Sequence, residues 1–232
     1  AAELMHVTRN IVSPQSNKPV MGIVQDSLLG SYRITQRDSF IEKDLLMNIL
    51  MWVENWDGKI PAPAIVKPKP LWTGKQDFSI ICPKVNMSGK GNTHPADGRN
   101  NDLNNKDSKV LIEKGNVVMG IIDKKALGTS AGGLIHIIWL EKGWDVARLF
   151  MNQIQLVVNH WLLSKSFGIG LRDTVADESI LNSITKIIND SKLQVETLIQ
   201  QGQAGQLETQ PGRTMLESFE NMVNKVLNTA RD

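Results

Sequence analysis

Cysteine is almost absent from this chain. Cys82 is the single one among 232 residues, which excludes a disulfide framework and a cysteine-built zinc site within the chain. A reducing compartment is its natural setting. No apolar run approaches the roughly 18 residues that a membrane span needs, and no signal peptide is visible, so no membrane partner is expected. An excess of one charge is missing as well. Lys and Arg number 26 against 24 Asp and Glu, for a net charge of +2. The balance is even along the chain: residues 1–90 hold 11 basic and 8 acidic groups, and residues 146–232 hold 8 and 9. That is not the profile of an autonomous nucleic-acid binder, so any grip on nucleic acid is local or shared with partners. The four histidines, His6, His94, His136 and His160, show no metal-ligand spacing. No Asp-x-Asp-x-Asp run is present to hold a catalytic Mg²⁺. Gly74-Lys75-Gln76 and Gly89-Lys90-Gly91 lack the Ser or Thr that a P-loop places after its lysine.

What is present supports a globular protein. Hydrophobic residues make up 41% of the chain, and the length suits one large domain or one domain plus part of another. Residues 13–26 read Ser-Pro-Gln-Ser-Asn-Lys-Pro-Val-Met-Gly-Ile-Val-Gln-Asp. Pro14 and Pro19 fix φ and remove two backbone donors, which predicts a segment running extended across a surface. Asn17, Lys18, Gln25 and Asp26 would then offer polar groups from a stiff backbone, although composition alone favours a plain Pro-rich connector.

The order of patterns predicts an α+β fold of short strands, hairpins and irregular extended segments, followed by a C-terminal helical hairpin. The first residues read as helix. Asp38-Ser39 is read as opening a helix with Phe40, Ile41, Leu45, Leu46, Ile49, Leu50 and Val53 on one face. Prolines and glycine between residues 61 and 76 predict an irregular wall, and residues 78–82 read as a strand. Residues 86–108 hold almost no large apolar residue and read as a mobile surface insertion. A hairpin is expected over residues 110–122, around Lys114-Gly115. Helices are expected over about 133–140, about 145–164, from an Asp177 cap to about 206, and from Thr214, where Glu217 completes a capping box.

Gly128-Thr129-Ser130-Ala131-Gly132 matches the G-x-S-x-G pattern of a hydrolase nucleophile, with Asp145 and His160 in triad order. The context is wrong. No strand runs directly into Ser130, and Asp145 and His160 flank one helix at about 22 Å. The same loop has a second reading. Its glycines let backbone N–H groups converge before a helix, with Lys124 and Lys125 beside it, a setting for a phosphate-bearing ligand. A tight turn with two solvated lysines is the plain alternative.

The wording of the chain decides among these. Residues 11–19 and 22–26 resemble, nearly letter for letter, the largest-subunit family of eukaryotic RNA polymerase II. Thr35-Gln36-Arg37-Asp38, Trp56-Asp57-Gly58-Lys59-Ile60-Pro61 and Lys67-Pro68-Lys69-Pro70-Leu71-Trp72-Thr73-Gly74-Lys75-Gln76 fit as well. So do Lys124-Lys125, Gly132-Gly133-Leu134-Ile135-His136, Val158-Asn159-His160-Trp161-Leu162-Leu163, Asp173-Thr174-Val175-Ala176-Asp177 and Phe219-Glu220-Asn221.

This resemblance implies the end of an active-site region at residues 1–10, a pore region at 11–187 and the start of a helical funnel region at 188–232. It implies DNA-templated RNA synthesis from nucleoside triphosphates in the nucleus, by phosphoryl transfer on Mg²⁺. The metal would sit on aspartates upstream of Ala1, with no catalytic residue and no metal ligand in this chain. Both ends read as cut, and the piece alone is expected to be inactive. The implied partners are the other polymerase subunits, above all the second-largest, with template DNA, nascent RNA and a transcript-cleavage factor at the pore and funnel. Carried over by position, Asn17, Lys18, Gln25 and Asp26 neighbour the active centre, and Lys124 and Lys125 face the path of backtracked RNA. Ser166 and Arg172 stand where the family usually has glycine, which puts the backbone there in question. A free-standing interaction module and a serine hydrolase using Ser130 are the alternatives.

Overall fold

The computed structural model describes residues 3–91 and 107–231. These fall into two compact units, Ala1–Phe167 and Gly168–Asp232. The first holds short antiparallel strands among helices. The second holds a 3-10 turn and two α-helices, so the α+β class with a C-terminal helical hairpin is what the chain adopts.

The first unit opens with a turn and a 3-10 turn at Val7–Asn10, not with the α-helix expected there. Strands β1 (Val12–Ser13) and β2 (Lys18–Pro19) then pair antiparallel, with Ser13 opposite Lys18. Residues 13–19 therefore fold back on themselves instead of running extended. Pro14 shapes the corner, the Asn17 N–H reaches the Ser13 carbonyl at 2.9 Å, and Asn17 takes the left-handed φ of 49° that Asn tolerates. Helix α1 (Gln25–Ile34) follows.

Two expectations fail in the middle of the unit, for one reason. Phe40–Glu42 is a strand, β3, and only Lys43–Leu50 is helix, α2. The partner of β3 is β4 (Leu71–Thr73), with Ile41 opposite Trp72. A pairing across 30 residues overrides a local helical pattern, as tertiary context does to weak propensity. Conversely, residues 78–82 are not a strand. Helix α3 (Gly74–Ile81) covers most of them, started by a capping box in which the Thr73 hydroxyl accepts from the Gln76 N–H and the Gln76 amide oxygen accepts from the Thr73 N–H. The expected irregular wall thus ends in a strand and a helix start.

Strands β5 (Met87–Lys90), β6 (Lys109–Glu113) and β7 (Asn116–Met119) form an antiparallel sheet in that order. The expected hairpin is β6–β7. Most of the expected surface insertion, residues 92–106, lies outside the described residues. Helices α4 (Lys124–Leu127), α5 (Leu134–Lys142) and α6 (Trp144–Lys165) complete the unit. The core joins Ile34, Ile41, Leu46, Trp72, Phe78, Ile112, Leu134, Phe150 and Val158, with α6 as its spine. Phe78 meets Phe150 edge-on at 6.2 Å.

One carboxyl is sealed inside the first unit. Asp77 on α3 is 1% exposed, and neither carboxylate oxygen has a hydrogen-bond partner among the described residues. Burial pushes its pKa from 3.8 up to about 7. Burial likewise pushes the Cys82 thiol up to about 12, which leaves it protonated.

In the second unit, α7 (Glu178–Gln203) starts after Asp177, and α8 (Met215–Arg231) starts after Thr214. The Thr214 N–H donates to Glu217 Oε2 at 2.9 Å, and the Glu217 N–H donates to the Thr214 hydroxyl at 3.3 Å, the expected capping box. These bonds from Thr214 hold the Glu217 carboxyl below its usual pKa. Arg172 lies in the 3-10 turn Leu171–Thr174 and is not at positive φ. An arginine at that position needs no special backbone. Ser166, at the end of α6, is different: its φ is 48°, where a side chain is strained.

Candidate functional site

Helix α4 exists because Asp123 caps it. The Asp123 carboxylate accepts from the Lys125 N–H at 3.0 Å and the Ala126 N–H at 3.4 Å. Ala126 and Leu127 turn into the core, which leaves Lys124 and Lys125 exposed side by side. The Ile23 N–H donates to the Leu127 carbonyl at 2.9 Å. Alongside, a Cβ on Gly22 would come within 2.9 Å of the Gly128 carbonyl carbon. Two backbones meet there at a distance that only glycine permits.

That contact joins the two groups of residues nominated from sequence. Residues 20–24 run from the β1–β2 hairpin, where Asn17 and Lys18 are exposed, to the start of α1, where Gln25 and Asp26 are exposed. Helix α5 packs against both β2 and α4. Lys18 and the Lys124–Lys125 pair are therefore carried by elements that share one neighbour. A cavity of about 230 Å³ opens beside Lys125, lined also by Lys90, Asp123, Ser130 and Gly132. Lys90 and Asp123 were not singled out from sequence for this place. Lys90 comes from a strand 35 residues earlier, and no local pattern announces that.

The glycine-rich loop differs from the expected anion cradle. Its backbone donors are largely spent within the protein. The Gly128 N–H donates to the Lys124 carbonyl at 2.8 Å, and the Gly133 N–H to the Ser130 carbonyl at 3.2 Å. The Gly132 N–H donates to His136 Nδ1 at 3.0 Å. Positive charge at this surface therefore comes from lysine side chains more than from backbone amides.

The serine triad is not assembled. Asp145 pairs with Arg148 at 3.7 Å, and His160 stacks on Trp52 with ring centroids 3.9 Å apart. No group of three His, Cys, Asp or Glu residues that could hold a metal ion occurs among the described residues. The described residues therefore offer no such donor set for the Mg²⁺ that the resemblance places on aspartates upstream. No helix among the described residues is long and apolar enough to cross a membrane.

The candidate site is a lysine-bearing surface set on a scaffold of short strands and helices. Residues 10–174 match the family described as RNA polymerase Rpb1, domain 3. The chain is 41% identical over 230 residues to the DNA-directed RNA polymerase II subunit RPB1-B of Trypanosoma brucei brucei. The match takes in 99% of the chain and 13% of that relative's length. The chain belongs to the family of RNA polymerase largest subunits.

Proposed function

We propose that this chain is part of the catalytic subunit of a nuclear DNA-directed RNA polymerase II, where it forms the wall and pore beside the active centre. The observation that carries this reading is the identity to a polymerase II subunit along nearly the whole chain. In the working enzyme the other subunits, the second-largest foremost, complete the site. Template DNA, nascent RNA and nucleoside triphosphates are its ligands, and a transcript-cleavage factor reaches it through the pore and funnel. Mg²⁺ is held by aspartates outside this chain.

Within that assembly, Lys124 and Lys125 attract the phosphates of backtracked RNA. Their exposure on α4, with Lys90 on the wall of the same cavity, supports this role. Asn17, Lys18, Gln25 and Asp26 border the active centre, and their placement around the Gly22–Gly128 contact supports a shared surface. The test is an assembled polymerase carrying Lys124→Ala/Lys125→Ala. Each exposed charge contact is worth up to about 1 kcal/mol, so the lifetime of the backtracked state should shorten by about fivefold per lysine at most. Its salt dependence should become shallower. Unchanged pausing, cleavage and salt dependence would remove the lysines from the RNA path.

A further inference from the structure

The turn over residues 128–133 reads Gly-Thr-Ser-Ala-Gly-Gly. It contains three glycines and no side chain large enough to anchor it in the core. A segment of this composition loses much conformational freedom when ordered, so something must hold it. Its two ends are tied by backbone hydrogen bonds, Gly128 to Lys124 and Gly133 to Ser130. Between them, a single side-chain bond to the turn is present among the described residues, and it comes from His136.

His136 sits in the first two turns of α5 and is 7% exposed, between the fully buried Ile135 and the core residue Ile138. Its Nδ1 accepts the Gly132 N–H at 3.0 Å. A ring nitrogen that accepts carries no proton, so this bond calls for the tautomer with its hydrogen on Nε2. Gly132 itself is at φ 74°, a left-handed backbone that glycine adopts without strain. The backbone there favours glycine at 132, and the bond needs an acceptor four residues on. An aliphatic residue at 136 would leave the amide without its acceptor.

We propose that His136 is a positioning residue: it clamps the turn at Gly132 and so sets where Ser130 and Lys125 stand on the wall of their common cavity. This inference rests on the pore reading given above. Ser130, Ala131 and Gly132 line the same 230 Å³ cavity as Lys125 and Lys90. Helix α5 also packs on β2, which bears Lys18, and on α4, which bears Lys124 and Lys125. A clamp on α5 thus ties the turn to the helix that both lysine-bearing elements contact. The histidine touches no ligand in this role and acts through the turn.

The test uses the assembled polymerase with His136→Leu, His136→Gln and His136→Asn. The Asn carboxamide oxygen falls near the place of Nδ1 and accepts the Gly132 N–H, whereas the longer Gln carries its amide past it. Hydrogen exchange of the peptide spanning residues 128–133 is the first readout. It should quicken by about tenfold or more in the Leu and Gln variants and stay near wild type in the Asn variant. The second readout is the lifetime of backtracked complexes, which should shorten about two- to fivefold in the Leu and Gln variants and be restored by Asn. Unchanged exchange in the Leu variant overturns the clamp. If that variant fails to assemble, equal behaviour of Gln and Asn overturns it. Faster exchange with unaltered backtracking, where Lys124→Ala/Lys125→Ala does alter it, overturns the positioning role. Silence of the lysine variant instead defeats the pore reading, while the exchange result still decides the clamp.

Discussion

The two units of this chain use similar helices to opposite ends. In Ala1–Phe167, helix α6 buries Ala147, Phe150, Ile154, Val157, Val158 and Trp161 along one face. In Gly168–Asp232, helix α7 is longer and strongly patterned, yet Ile180, Leu181, Ile184, Ile187 and Ile188 stay exposed. Leu207 is the single buried hydrophobic residue of the second unit among those described. An amphipathic pattern announces a helix, but it does not supply the surface that covers it. Stability in the first unit comes from burial. In the second it comes from one helix–helix seam and from local devices such as the Thr214–Glu217 cap.

The contrast is measurable, because all six tryptophans lie in the first unit. Their fluorescence follows that unit, while far-ultraviolet dichroism and hydrogen exchange follow both. The largest effect should come from Phe150→Ala, which empties a site against Phe78. A loss of about 3–5 kcal/mol is expected in the tryptophan-detected unfolding of the chain. A loss below about 1 kcal/mol would mean that the first unit does not depend on its core.

Asp77→Asn comes next and should stabilise. A carboxyl whose pKa rises to about 7 on folding holds its proton in the folded state between pH 4 and 7, where the unfolded chain releases it. Stability is therefore highest below about pH 4, falls as pH rises toward 7, and stays low above. The penalty is on the order of 4 kcal/mol. The Asn variant should gain most of that at pH 8, gain nothing at pH 4, and flatten the pH profile. An unchanged slope between pH 4 and 7 would show that Asp77 has a partner in solution.

Ser166→Gly should stabilise the first unit by about 1 kcal/mol by relieving a φ of 48°, provided that the Arg33 bond to the Ser166 carbonyl keeps the backbone in place. Destabilisation in the unfolding curve would contradict that strain. Thr214→Ala should cost the second unit about 1 kcal/mol, seen in amide exchange of α8 and not in fluorescence. In the parent chain the cap should also weaken as pH falls through the lowered pKa of Glu217. Smallest of all, Ile184→Ala on the exposed stripe of α7 should change stability by less than about 0.5 kcal/mol. A loss like that of Phe150→Ala would show that the stripe is covered after all.

Long, strongly periodic segments were readable from the residues alone. Helices α5 to α8 lie where the 3.6-residue pattern and the starts at Asp177 and Thr214 put them, although the Asp177 side chain makes no capping bond, and the β6–β7 hairpin sits around Lys114-Gly115. Short segments were not. Phe40 and Ile41 suit a helix face, and they became strand because β4 arrives to pair with them. Residues 78–82 look like a strand, and the signal that contradicts it, Thr73-x-x-Gln76, stands just before them. The lysines of the candidate site were readable as a local pair. Lys90, Asp123 and the His136 bond were not, because each depends on which backbone passes alongside.

The sequence by itself therefore determined the family, the even charge, the absence of cysteine chemistry and the helices whose period is long enough to be unambiguous. These are properties of composition, wording and local hydrogen bonding, which need no distant partner. Only the tertiary structure decided that residues 13–19 turn back as a hairpin, that Gly22 meets Gly128, and that Asp77 is buried without a partner. Each of these is a long-range contact or its consequence. The free energy of such a contact depends on what two remote segments bury or leave unpaired when they meet.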